Sequence, residues 1–104
     1  MSKPRSAYRE FPNVSKYLEE KLFHRRKELK ISQAALAARA GLTRNCVQQM
    51  ESHEHLPLPS TLFRLLEALE FSEDETAKFW LEIEDAYGKD RALQDAVSQR
   101  HKAV

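Results

Sequence analysis

The chain has 104 residues, about one domain's worth, and its 41% hydrophobic and 32% charged content excludes a disordered or membrane-embedded polypeptide. Its net charge of +1 conceals a polarity: residues 1–50 hold 11 Lys/Arg against 4 Asp/Glu, a net of +7, and residues 51–104 hold 6 against 12, a net of −6. No apolar run approaches the roughly 20 residues that span a bilayer, and the start Met1-Ser2-Lys3-Pro4-Arg5 leads into no signal-peptide core.

One cysteine, Cys46, excludes an internal disulfide framework and fits a reducing cytoplasm. Two glycines and four prolines leave little material for hairpins, and stretches rich in Ala, Leu, Glu, Lys and Gln favour helix. An all-α protein is therefore expected. A basic half joined to an acidic half suits a molecule with one face on a polyanion.

Residues 1–13, with Lys3, Arg5 and Arg9, two prolines and no helical period, read as a flexible basic arm. Ser15 is the candidate N-cap of a first helix over about 15–29, with Leu18, Leu22, Arg26 and Leu29 on one face. Ser32 caps a second helix, Gln33 to Ala40, whose alanines let another helix approach closely. Gly41 is its stop, supplying a left-handed conformation that a side chain disfavours. Leu42 plugs the turn and Thr43 caps a third helix, Arg44 to Glu51. There Val47 and Met50 face inward, and Arg44, Asn45, Gln48 and Gln49 face outward.

A loop follows, broken by Pro57. Pro59 opens a fourth helix with Leu62, Leu65, Leu66 and Leu69 as its apolar face. Ser72 with Glu73, Asp74 and Glu75 signals a fifth, since acids suit the positive end of a helix. It is expected to reach about Tyr87, with Phe79, Trp80, Ile83 and Tyr87 on its apolar side. Gly88 is the expected stop, and a weaker sixth helix over about 90–99 is left open. The expected division is an arm at 1–13, a helix-turn-helix domain at 14–71 and a C-terminal helical extension at 72–104.

The segment from Ser32 to Glu51 is the most informative. Two short helices meet at a single glycine, small residues permit a steep crossing, and Leu36, Leu42 and Val47 lock the angle. That geometry projects the second helix of the pair outward, N-terminus first. Its outward face holds amide and guanidinium side chains and no acid before Glu51, whereas a merely solvated helix usually mixes Glu and Lys.

In these residues the chain resembles the lambda-repressor-like, or Xre, family of helix-turn-helix regulators over about residues 18–70. The matching residues are Leu22, Arg26, Ile31-Ser32-Gln33, Leu36-Ala37, Gly41-Leu42-Thr43, Val47, Glu51, Pro57 and Thr61-Leu62, with Leu65, Ala68 and Leu69 closing the fourth helix. The resemblance implies a compact five-helix lambda-repressor-like DNA-binding domain. It also implies base contacts from Arg44, Asn45, Gln48 and Gln49, where Arg takes guanine and Gln or Asn takes adenine. Backbone contacts would come from Gln33, Thr43, Ser52, His53 and Arg26. Arg26 and Glu51 match a family pair that forms a buried salt bridge, read as positioning because desolvation offsets much of its attraction.

Two departures stand out. The loop Ser52-His53-Glu54-His55 lacks the family's glycine and sets an acid near the phosphates, and position 25, usually apolar, is Arg25. The cations of the first helix and the arm are expected to supply the missing grip. Two histidines and one carboxylate are an incomplete metal set, and Cys46 reads as a small filler on the helix flank before a redox switch. Neither a metal nor another cofactor is expected, and no catalytic constellation is evident, so no enzyme activity is expected.

The function read from sequence is a sequence-specific double-stranded-DNA-binding transcriptional regulator, cytoplasmic and nucleoid-associated. It is expected to act as a repressor and a homodimer on a two-fold operator, with Phe79, Trp80, Ile83 and Tyr87 as the dimer or regulatory surface and no membrane partner. The rival is an antitoxin-like or adaptor module that binds a protein partner through its acidic C-terminal half.

Overall fold

A computed structural model describes residues 9–102, with side chains to residue 97; these residues form helices and no strand. The expected arm contacts of Lys3 and Arg5 lie outside the described residues.

Helix α1, residues 12–28, is continuous but mixed: α-helical over Pro12–Leu18, π-helical over Glu19–Phe23 and α-helical again over His24–Glu28. Val14, Leu18, Leu22 and Arg26, four residues apart, are all buried. An α-helix drifts about 40° per four residues, which would turn such a stripe by about 120° between Val14 and Arg26. The wider π turn in the middle takes part of that rotation back and keeps the stripe on the core.

The helix starts at Pro12, in the first turn where proline is at ease. Ser15 is therefore not its N-cap. It sits within the helix, 1% exposed, its hydroxyl without a partner among the described residues. The cap comes from 77 residues away: Asp90 accepts from the Asn13 amide N–H at 3.0 Å. Its other oxygen takes the Val14 N–H at 2.9 Å, and the Asn13 side-chain amide adds a bond of 2.7 Å.

Helix α2 spans Gln33–Ala40 and α3 Arg44–Glu51. Each is capped by the hydroxyl that precedes it, Ser32 accepting from Ala35 N at 3.0 Å and Thr43 from Cys46 N at 3.1 Å. Gly41 between them adopts φ +69°. A Cβ there would meet only Arg64 Nη1 at 3.7 Å, so backbone conformation, not space, calls for glycine. The Leu42 N–H reaches back to the Ala37 carbonyl at 2.8 Å and closes the turn.

Helix α4, Pro59–Ala68, buries Leu62, Leu65, Leu66 and Ala68. Helix α5 runs unbroken over Glu73–Lys102, 30 residues or about 45 Å. Ser72 and Glu75 form a reciprocal capping pair at its start, with bonds of 3.0 and 3.1 Å.

The expected stop at Gly88 and the separate helix beyond it are replaced by this single helix. Gly88 costs a helix interior about 1 kcal/mol relative to alanine, too little to break a helix anchored on both sides. Ala86 and Asp90, buried on either side, hold both flanks to the body.

Helix α5 packs antiparallel along α1. Phe79, 1% exposed, is the centre of a ring cluster with Tyr17 at 5.4 Å, Phe71 at 6.1 Å and Trp80 at 5.4 Å. It joins Leu22, Leu36, Val47, Leu65, Leu66 and Leu69 in one core shared by all five helices. The aromatic surface expected for dimerisation is thus largely core. Phe79 is inaccessible, Trp80 is half-buried under Phe63 at 4.8 Å, and Ile83 packs on the core. Tyr87 is 46% exposed and stacks on Phe11. Period alone identified an apolar side; α1 lies against it.

Candidate nucleic-acid interface

The pair α2–α3 is held by contacts that leave one face of α3 bare. Ala37 and Ala40 are buried where the helices cross, and Leu36 is fully enclosed. Val47 and Met50 point into the core from α3. The opposite side carries Arg44, Asn45 and Gln48, all exposed, with Gln49 half-buried at its edge. Cys46 is half-buried on the flank, in a small cleft with Leu42, Met50, His55 and Leu56.

The far end of α3 is fixed by a buried cluster. Arg26 grips Glu51 with two bonds, Nε to Oε2 at 2.7 Å and Nη2 to Oε1 at 2.8 Å. Its third nitrogen donates to the Ile31 carbonyl at 2.8 Å, and Gln33 Nε2 donates to Glu51 Oε1 at 2.9 Å. The two charged side chains are 8% and 5% exposed. One planar bidentate pair therefore ties the end of α1, the start of α2 and the end of α3 together.

This geometry corrects the double role given to Arg26. Each of its three nitrogens bonds inside the protein and its side chain is 8% exposed, which leaves it little surface for a phosphate. The Gln33 amide nitrogen is also engaged, at the first residue of α2.

Thr43 holds its cap at the entry of α3. Ser52 donates to the Gln49 carbonyl at 3.3 Å and is half-buried. His53 adopts φ +62° and turns its ring to α1, with Nε2 3.4 Å from Glu19 Oε2 and 11% of the side chain exposed. The loop after α3 thus leans on α1, and His53 offers little surface to a phosphate.

Two residues outside the expected site hold α1 and α5 together. Arg25, one of the first-helix cations expected to help grip the backbone, instead donates to the Leu69 and Glu70 carbonyls, each at 3.1 Å, and to both oxygens of Glu75 at 2.9 and 3.0 Å. It also lies 4.7 Å over the Phe71 ring. The bond from Arg25, helped by the Ser72 amide, holds the Glu75 carboxyl down at about 2, and Glu75 in turn pushes the Arg25 guanidinium up. Asp90 is the second such residue. No local pattern announces either, because their partners lie 44 to 77 residues away.

Arg9 lies beside Leu93 and Val97 of α5, at the opposite end of α1 from Arg26. That position does not add it to the α2–α3 surface. No helix among the described residues is long and apolar enough to cross a membrane.

A protein-family model described as helix-turn-helix matches residues 22–75, more than half of the chain. The protein belongs to this lambda-repressor-like family of DNA-binding helix-turn-helix regulators. No curated protein and no solved structure matches the chain.

Proposed function

We propose that this protein is a sequence-specific repressor, cytoplasmic and nucleoid-associated, that binds a two-fold operator as a homodimer. The observation that carries the reading is the bare, acid-free face of α3. Arg44, Asn45 and Gln48 stand exposed there on a helix capped at one end and pinned by a buried ion pair at the other. Guanidinium and amide groups held on a rigid helix suit bidentate contacts to guanine and adenine edges in the major groove. Gln49, at the rim, reads the flanking position. One such helix covers few base pairs, so useful specificity calls for two copies on half-sites about one helical turn apart.

Selection of bound sites from a random duplex pool tests this directly. The expected result is an inverted repeat. The double variant Arg44→Ala/Gln48→Ala is expected to lose operator discrimination and keep its fold, since both side chains are exposed. Recovery of unrelated single sites, or unchanged discrimination by the variant, overturns the reading.

The rival, an antitoxin-like or adaptor role, is favoured by one observation. The acidic half exposes large apolar side chains on α5, with Leu81 at 70%, Leu93 at 55% and Val97 at 54%. A duplex affinity that does not fall with salt favours this rival over the regulator.

A further inference from the structure

We propose that Lys27 and Lys30, at the corner between α1 and α2, are phosphate-gripping residues of the DNA interface. The inference rests on DNA binding as the function and adds the residues that hold the backbone.

Three cations of the basic half are committed to carboxylates among the described residues. Arg25 clasps the start of α5, and Arg26 is buried on Glu51. Lys16 and Lys21 lie on the α5 side, away from α2 and α3: Lys16 lines the groove between α1 and α5 with Leu81 and Asp85, and Lys21 sits 5.9 Å over the Tyr17 ring. Arg39 sits 3.6 Å from Glu70. Among the described residues, Lys27 and Lys30 are exposed and have no carboxylate partner.

Contacts place these two beside the recognition unit. The Phe23 ring carries Lys27 Nζ at 5.4 Å and the Arg26 guanidinium at 5.4 Å. Arg26 is bonded to Glu51 at the end of α3, so Lys27 stands on the face of α1 that adjoins the Glu51–Gln33 cluster. Lys30 follows in the turn that delivers Ser32 and Gln33 to the start of α2, its N–H bonded to the Lys27 carbonyl at 3.0 Å.

Lys30 also holds φ +58°, a left-handed conformation that glycine adopts freely and a lysine adopts at a cost. A charge kept there projects from the corner just ahead of a helix N-terminus, itself favourable to an anion. On the other flank of α3, the loop turns His53 to Glu19 on α1. The electrostatic grip accordingly lies on the α1–α2 side.

The test is the salt dependence of binding by the full chain to a short random duplex, between about 50 and 200 mM salt. Lys27→Gln removes a charge at near-constant shape, and Lys30→Gly removes one while relaxing the backbone. Each is expected to lower the slope of log affinity against log salt by about 0.9. Each variant's loss across that range is then about 3.5-fold smaller than wild type's, and the double variant's about 12-fold smaller. Lys16→Gln, on the α5 side, is the control for net charge and is expected to keep the wild-type slope.

Wild-type slopes in both variants, or an equal change in the control, overturn the proposal while leaving DNA binding intact. A wild-type chain with no salt-dependent affinity overturns DNA binding itself, which is a distinguishable result. Melting of each variant at or above the wild-type temperature ties any slope change to the lost charge and not to unfolding.

Discussion

Asp90→Ala is the most demanding test of the fold described above. Asp90 is 0% exposed and forms no ion pair among the described residues; its counter-charge is the N-terminal end of α1, equivalent to roughly half a positive charge. Truncation removes the acceptor of the Val14 N–H, which is buried, and of the half-buried Asn13 N–H and side-chain amide. Loss of a helix cap costs about 1 kcal/mol, and a buried donor left without a partner about 1–3 kcal/mol. The expected loss is therefore about 2–4 kcal/mol, a large share of the 5–15 kcal/mol typical of a whole domain. In a chain of this size that lowers Tm by on the order of 10–20 °C. Urea denaturation followed by far-ultraviolet circular dichroism gives the free energy. Amide exchange at Val14 reports the site, where protection is expected to collapse first. Asp95→Ala, an exposed acid on the same helix, is expected to stay within about 0.5 kcal/mol of wild type. An Asp90→Ala protein as stable as that control would refute the reasoning, because a carboxylate that caps a buried helix end cannot be removed without consequence.

Glu51→Leu strands the Arg26 guanidinium in the core and is expected to cost about 3–5 kcal/mol by denaturant unfolding, with Arg26→Leu/Glu51→Leu less damaging than the single change; a double variant as unstable as the sum of the singles contradicts the pairing. Gly88→Ala is expected to raise stability by up to about 1 kcal/mol, since a Cβ there meets nothing within 4 Å and the backbone is helical. A loss of stability instead would show that the helix is broken at this position. Glu75, held at about 2 against an ordinary 4.5, contributes stability that is full above pH 4.5 and disappears as the pH falls through 2. The Tm difference between wild type and Glu75→Gln is thus expected to be constant near neutrality and to shrink across that acid window. A gap that persists unchanged at its lower edge rules out the Arg25 clasp as its source.

The parts of this structure legible in sequence are those decided within a few residues. The caps at Ser32 and Thr43, the left-handed Gly41 and the inward Val47 and Met50 each depend on neighbours three or four positions away. They define α2, the turn and α3, and with them the candidate reading face. What failed was non-local. Ser15 carries a capping side chain, yet the helix takes its cap from Asp90, which no window around Ser15 contains. Gly88 carries a stop signal, yet tertiary anchoring of Ala86 and Asp90 outweighs a propensity term of about 1 kcal/mol. Phe79 and Trp80 showed helical period without saying which body would cover them. Arg25 and Arg26 are adjacent arginines of equal formal charge. One closes onto α5 and the other onto α3 because the intervening peptide turns their side chains by about 100°.

The charge polarity acquires a different meaning once these contacts are in place. A basic half beside an acidic half suggested one face for a polyanion and one kept away from it. The structure uses much of that complementarity internally. Glu51, Glu70, Glu75 and Asp90, all from the acidic half, take Arg26, Arg39, Arg25 and the N-terminus of α1 in turn. Three of these four contacts involve α1: Asp90 at its first turn, Glu75 and Glu51 near its last. Helix α1 is thereby fixed between α5 and the α2–α3 pair, and the orientation of α3 depends on α5 through Arg26 and Glu51 without any direct contact of α5 with the reading face. The cations left over are the informative ones. On the side of the α2–α3 pair these are Arg44 on α3 and the lysines at the α1–α2 corner, all exposed, with Gln33 between them in sequence. The surface charge available to DNA is therefore set by subtraction, residue by residue, and the net charge of either half does not measure it.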